Sequence, residues 1–139
     1  TRMRSESARI SDNSLETKMM GSDFPECTEP LVARYKPTLC NGHGVPIDGV
    51  LYLTRSQLLF LCPMMRYKIE LRNIFFLRRV VCLGEETIQL FCDGNVAFQL
   101  QQFDGIVSRL GSAIGVRRMS KFFEAFFLIL DLWLMARGE

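Results

Sequence analysis

Long charge-free apolar runs are missing from this 139-residue chain, as are closely spaced cysteines, a second histidine and a second tryptophan. Each shortage removes a class of function. A bilayer core of about 30 Å needs roughly twenty apolar residues in a helix. The most apolar stretch, Phe122 to Met135, would be only about 21 Å long at about 1.5 Å per residue, and it contains Glu124 and Asp131. The five cysteines, Cys27, Cys40, Cys62, Cys82 and Cys92, form an odd set with no two closer than ten residues. Zinc sites use ligand pairs at short spacing, and secreted disulfide frameworks use even sets, so neither is written here. What remains is a set of reduced thiols in an intracellular protein, most of them beside apolar runs. No secretory signal opens the sequence. With Thr1 at one end and a helical run up to Glu139 at the other, we expect a piece of a longer protein.

The chain is equally poor in catalytic patterns. The single histidine, His43, sits in the loop Asn41 to Pro46 with no serine, cysteine or carboxylate at interpretable spacing. Gly42-His43-Gly44 lacks the further glycine and following helix of a phosphate-cradling loop. Glu85 and Glu86 are adjacent, and a catalytic carboxylate pair needs convergence in space rather than adjacency. The expectation is a non-enzymatic protein without metal or cofactor. Nucleic-acid binding would call for a broader basic surface with exposed aromatics between the cations, whereas the aromatic residues here fall mostly at core phases.

What the chain does have is ordinary globular composition, 48% hydrophobic and 23% charged, enough in one domain of this length to bury a core. The net charge of +2 is unevenly spread. Between Arg55 and Arg79 six cations (Arg55, Arg66, Lys68, Arg72, Arg78, Arg79) face only Glu70, a net of +5. From Glu85 to Asp104 the charges are all acidic: Glu85, Glu86, Asp93 and Asp104. Such a distribution orients a molecule towards an anionic partner more than total charge does.

Period-two patterning dominates the middle of the chain. Residues 1–23 mix charges and serines without apolar periodicity and read as a disordered arm or linker. Leu31 to Leu39 reads as a first strand, with Pro37 confined to an edge or bulge. Val50 to Thr54 and Leu58 to Cys62 follow as a hairpin, and Pro63 ends it. In the fourth strand Arg66, Lys68, Glu70 and Arg72 alternate with Tyr67, Ile69 and Leu71, giving one solvated and one core face. Ile74 to Val81 is a fifth strand. Thr87 to Cys92 and Val96 to Leu100 form a second hairpin around Asp93, Gly94 and Asn95. These make seven strands, with Tyr52, Phe60, Ile69, Ile88 and Phe98 at inward phases.

The period then changes. Phe103, Ile106, Val107, Leu110 and Ile114 fall at helical spacing behind a capping Asp104, with a break near Gly115. A second helical pattern runs from Arg117 to Met135. Its polar stripe is Arg117, Lys121, Glu124 and Asp131; the rest of its circumference is apolar. We therefore divide the chain into an arm (1–23), a β-rich domain (24–115) and an amphipathic, largely apolar helix (116–139).

Particular segments go further. Glu29 to Leu39 (EPLVARYKPTL), Gly49 to Thr54 (GVLYLT), Leu58 to Phe60, Lys68 to Leu77 (KIELRNIFFL) and Val96 to Leu110 resemble the GRAM branch of the pleckstrin-homology-like superfamily. Together they cover about Phe24 to Ile114. The resemblance implies a mainly β fold, a seven-stranded antiparallel barrel or sandwich capped by a helix. It also implies a module of a larger protein that binds phosphoinositides or other anionic lipids, or another protein. One departure stands out: where lipid-binding pleckstrin domains hold phosphates with a basic run across the first two strands and their loop, Cys40 to Pro46 offers only His43.

Two surfaces are therefore candidates. The first is the basic set Arg55, Arg66, Lys68, Arg72, Arg78 and Arg79, which could receive a phosphate or a phosphatidylserine- or phosphoinositide-bearing membrane through guanidinium donors and long-range attraction. The second is the C-terminal helix, with Arg117, Arg118, Lys121, Phe122, Phe123, Phe126, Phe127, Leu130, Trp133 and Leu134. It could pack on its own domain, meet a partner or second copy, or lie in a membrane interface. The leading expectation is peripheral association with anionic membranes on the cytoplasmic side. The alternative is a protein-interaction scaffold that uses the helix at 117–135, with self-association possible there.

Overall fold

The computed structural model describes residues 14–40, 46–82, 84–92, 96–103 and 115–138. A helix α1 spans residues 14–23. Nine strand segments follow: β1 (Ala33–Tyr35), β2 (Thr38–Leu39), β3 (Ile47–Asp48), β4 (Val50–Leu53), β5 (Gln57–Leu61), β6 (Arg66–Glu70), β7 (Ile74–Cys82), β8 (Glu85–Cys92) and β9 (Val96–Gln101). A 3-10 turn, Leu71–Asn73, links β6 to β7, and a long helix α2 (Gly115–Ala136) ends the order. The strands form two antiparallel sheets, β1-β4-β5-β6 and β3-β2-β9-β8-β7. Among the described residues they make an open sandwich and no closed barrel, since β6 and β7 are both edges.

The count differs from the expected seven because the first expected run is cut in two and a short strand, β3, lies ahead of the expected second strand, outside any expected run. Pro37 has no amide hydrogen to give a ladder, so β1 stops at Tyr35 and pairs with β4, while Thr38 and Leu39 resume as β2 between β3 and β9. Gly49 lies between β3 and β4, and the two breaks meet where its amide donates to the Pro37 carbonyl at 3.1 Å. A side chain at Gly49 has no room. Its Cβ would lie 2.6 Å from the Leu61 carbonyl oxygen and collide with the Phe60 ring. Both runs thus pass from one sheet to the other at a shared corner.

The main core fills the space between the sheets. Leu51, Leu53, Leu58, Phe60 and Ile69 meet Leu39, Ile74, Leu77, Ile88, Leu90 and Leu100 there. Phe122, Ala125, Ile129 and Leu132 of α2 join the same cluster, spaced three, four and three residues apart as one face of a helix requires. The Trp133 indole N–H donates to the Ile74 carbonyl at 2.8 Å, and the Tyr35 hydroxyl donates to Glu124 at 3.0 Å. The helix expected beyond residue 115 therefore shares its buried face with the sheets. The helical pattern expected from Phe103 to Ile114 lies outside the described residues after Phe103, as do the Asp93–Asn95 turn and His43.

A second, smaller core lies on the outer face of the β1-β4-β5-β6 sheet. Tyr52 and Leu59 are directly paired there, and Met20 and Phe24 cover them. This corrects two expectations. Tyr52 is fully buried, but in this outer layer rather than between the sheets. Of the stretch 1–23, expected as a disordered arm or linker, residues 14–23 are helical. Its fastening is narrow: Met20 and Phe24, four residues apart, and Asp23, which accepts a 2.6 Å hydrogen bond from the Tyr52 hydroxyl. So few apolar contacts leave little periodicity to read.

Candidate anion-binding surface

The six cations of the basic segment occupy four separate places. Arg66 and Lys68 lie on the same face of β6, because side chains two apart on a strand point the same way. Both are exposed. Both pair with Glu26, just beyond α1: Lys68 Nζ lies 3.3 Å from Glu26 Oε2, and an Arg66 Nη hydrogen-bonds the same oxygen. The Arg66 guanidinium also covers the Phe24 ring at 4.8 Å. The Glu26 carboxyl titrates below its ordinary value. Its own backbone hydrogen bond contributes most, burial works against it, and the Lys68 hydrogen bond and the two positive charges add to the lowering.

Arg55 and Arg72 meet at the opposite end of that sheet, in a cleft of about 480 Å³ lined also by Glu29, Ser56, Glu70 and Met135. Arg72 pairs with Glu70 at 3.7 Å. Glu29 accepts from the hydroxyls of Thr54 (2.6 Å) and Ser56 (2.7 Å) and from the Ser56 amide (3.4 Å). The two guanidinium groups therefore stand beside two carboxylates, and the cleft carries no excess positive charge.

Arg78 and Arg79 separate to opposite faces of β7. The Arg78 Nε donates to Gln89 at 2.7 Å, Gln89 in turn to Gln99 at 3.0 Å, and the guanidinium stands 5.6 Å from the Phe91 ring centroid. Arg79 pairs with Glu86 at 3.0 Å and lies 5.1 Å above the Phe123 ring of α2. The expectation of one basic rim thus reduces to one adjacent pair, Arg66 and Lys68, with a single carboxylate between them.

On α2, Phe122 is buried, Phe123, Phe126, Leu130, Trp133 and Leu134 are partly buried, and Phe127 is exposed. Lys121 is exposed beside the Tyr35 ring, 5.7 Å from its centroid. The side chains of Arg117 and Arg118 lie outside the described residues. Burial first, and then the hydrogen bond to Glu124, raises the pKa of the Tyr35 hydroxyl well above that of an ordinary phenol. No helix among the described residues is long and apolar enough to cross a membrane.

Sequence reasoning missed one feature beside the Arg66–Lys68 pair. The tip of the β5–β6 hairpin is Pro63-Met64-Met65, with Met64 88% and Met65 51% exposed. The signal was present: two large apolar residues where a turn would ordinarily carry Gly, Asn or Asp. Phe75, 71% exposed at the bulge between Ile74 and Phe76, also escaped a reading of β7 as continuously apolar.

No family model matches the chain, and no curated protein matches it. Among solved structures it is similar to the C-terminal domain of an unknown protein from Leishmania infantum, with a TM-score of 0.53 and 22% identity over 68% of this chain and 94% of that one. At that identity the similarity speaks to the fold and carries no activity with it.

Proposed function

We propose that the chain is a non-enzymatic, GRAM-like module of pleckstrin-homology type that associates peripherally with anionic membranes on the cytoplasmic side, with Arg66 and Lys68 as its contact. The observation that carries this reading is the placement of two exposed cations on one face of an edge strand, both paired with the single carboxylate of Glu26. Basic side chains near an anionic leaflet contribute on the order of 1 kcal/mol each, and their attraction is screened within a Debye length. The pleckstrin-type assignment draws support from the chain path. If β1 with β2, and β3 with β4, are each counted as one bent strand, seven runs precede a helix that packs against the sandwich.

Vesicles containing phosphatidylserine or a phosphoinositide should sediment the protein at low salt and release it as ionic strength rises. Arg66→Glu with Lys68→Glu should abolish sedimentation, whereas Glu26→Gln, which frees the pair, should strengthen it severalfold. Undiminished binding by the double variant, or no binding to any anionic vesicle, overturns the proposal. The rival reading, an interaction scaffold on α2, draws on Phe127 and Met135, which are 54% and 58% exposed. It predicts salt-insensitive self-association, although α2 commits its buried stripe to its own core.

A further inference from the structure

We infer that the tip Pro63-Met64-Met65 of the β5–β6 hairpin is a wedge that enters the apolar layer of an anionic membrane. The inference rests on the membrane reading above and names the part of the surface that inserts.

The tip is held firmly although Met64 is almost fully exposed and Met65 half exposed. Cys62 and Met65 exchange backbone hydrogen bonds, Cys62 N–H to the Met65 carbonyl at 3.0 Å and Met65 N–H to the Cys62 carbonyl at 3.3 Å. This closes a two-residue loop of Pro63 and Met64. The Tyr67 hydroxyl lies 3.1 Å from the Met65 sulfur, and five consecutive residue pairs, Leu61↔Arg66 to Gln57↔Glu70, stiffen the hairpin behind it. Proline pre-sets one backbone angle of the loop, and no residue of the loop takes positive φ. The geometry therefore does not dictate which side chains the loop must carry. Polar residues would serve the turn equally well, yet the positions farthest from the core hold Pro, Met and Met. Little of that apolar surface is repaid within the protein.

The surrounding charges match a lipid headgroup layer. Arg66 follows the tip directly and Lys68 lies three residues behind Met65, about 10 Å along a strand at about 3.3 Å per residue. Interfacial apolar groups sink about 5–10 Å, to the boundary between headgroups and acyl chains, which places the two cations level with the phosphates. Lys36, exposed after β1, stands at the same end of the sheet, since Tyr35 pairs with Leu51 and Val50 with Leu61. Among the described residues, Glu26 is held by the two cations, Asp48 accepts from the Thr38 hydroxyl at 2.8 Å and lines a cleft with Pro63, and Asp23 accepts from the Tyr52 hydroxyl. A three-residue tip also falls far short of the roughly 1,000 Å² that a stable protein interface needs, whereas methionine's flexible, polarizable side chain adapts to a fluid layer without a shaped partner.

The full chain would be titrated with phosphatidylcholine vesicles with and without phosphatidylserine. Met64→Ser with Met65→Ser should weaken binding to the anionic vesicles on the order of tenfold while circular dichroism stays unchanged, because Met64 is almost fully exposed and Met65 half exposed, and neither belongs to the buried core. In a second variant, Met64→Trp, the fluorescence added over the wild-type background should shift to the blue on binding and be quenched by lipids brominated on their acyl chains. Wild-type binding that survives the serine pair intact, or a new indole that stays unquenched, overturns the wedge and leaves the electrostatic reading standing. Failure of the wild type to bind any anionic vesicle overturns both. A tip that proves indifferent to vesicles yet mediates self-association in light scattering assigns the surface to protein contact and also overturns the wedge.

Discussion

Glu29 illustrates how one carboxylate fastens a turn. Its Oε1 accepts from Thr54, from the Ser56 hydroxyl and from the Ser56 amide, tying the chain before β1 to the β4–β5 hairpin. The Thr54 and Ser56 hydrogen bonds, which favour the ionised form, hold its pKa below the ordinary 4.5. A group with a depressed folded-state pKa contributes stability that is fully present above its unfolded pKa and is lost as pH falls through the folded value. Glu29→Gln should therefore cost roughly 1–2 kcal/mol near neutral pH, towards or below the low end of the range of about 1.5–3 kcal/mol for hydrogen bonds to charged groups because solvent screens a partly exposed carboxylate, and progressively less below about pH 4.5. Denaturant titrations of both proteins at neutral pH and at about pH 3 would check the sign. An equal penalty at both would mean that the carboxylate charge is irrelevant. Glu29 was not legible as a fastener in the sequence, because its partners lie 25 and 27 residues away.

At the scale of elements, the strands other than β3 were legible to within a residue or two, because a half-buried strand writes its period directly into the sequence, whereas the two residues of β3 are too few to show one. Arg66, Lys68 and Glu70 alternate with Tyr67 and Ile69, and the structure leaves Arg66 and Lys68 exposed and Ile69 buried. The corner at Pro37 and Gly49 was half legible. Proline announced an interruption, whereas the demand for glycine comes from Phe60 and Leu61 on a neighbouring strand. Gly49→Ala should destabilise the fold by roughly 1–3 kcal/mol, as overpacking of a tight site does, and the cost should persist because backbone forms one side of the clash. A loss under about 0.5 kcal/mol in a denaturant titration would show that the corner can open. The candidate site was legible in its residue types but not in its grouping. Whether Arg55, Arg66 and Arg78 share a rim depends on which sheet each strand joins, and hydrophobic period does not encode that. The apolar tip was visible as letters, but its exposure follows only from the pairing of Cys62 with Met65.

For the whole molecule, α2 decides whether there is a core at all. Phe122, Ile129 and Leu132 each bring roughly 1.5–3 kcal/mol of burial, a sum comparable with the entire stability of about 5–15 kcal/mol typical of a domain. Removing residues 115–139 should therefore abolish cooperative thermal unfolding and expose a surface that binds hydrophobic dyes. A truncated chain that still melts in one sharp transition would place the helix outside the core.

Among the described residues the edges β6 and β7 make no ladder with each other, and α2 packs on β7 and the 3-10 turn between them, which has a consequence for synthesis on the ribosome. Both sheets are complete in sequence by Gln101, but the wall that seals them follows some twenty to thirty residues later, at Phe122 to Leu132. Chains are made at about 5–20 residues per second, and exposed apolar surface in unfinished domains invites aggregation. The emerging β-sandwich must therefore wait, open along one seam, until that helix clears the exit tunnel. The interval in which a chaperone can engage this domain is set by the length of chain between its last strand and Leu132.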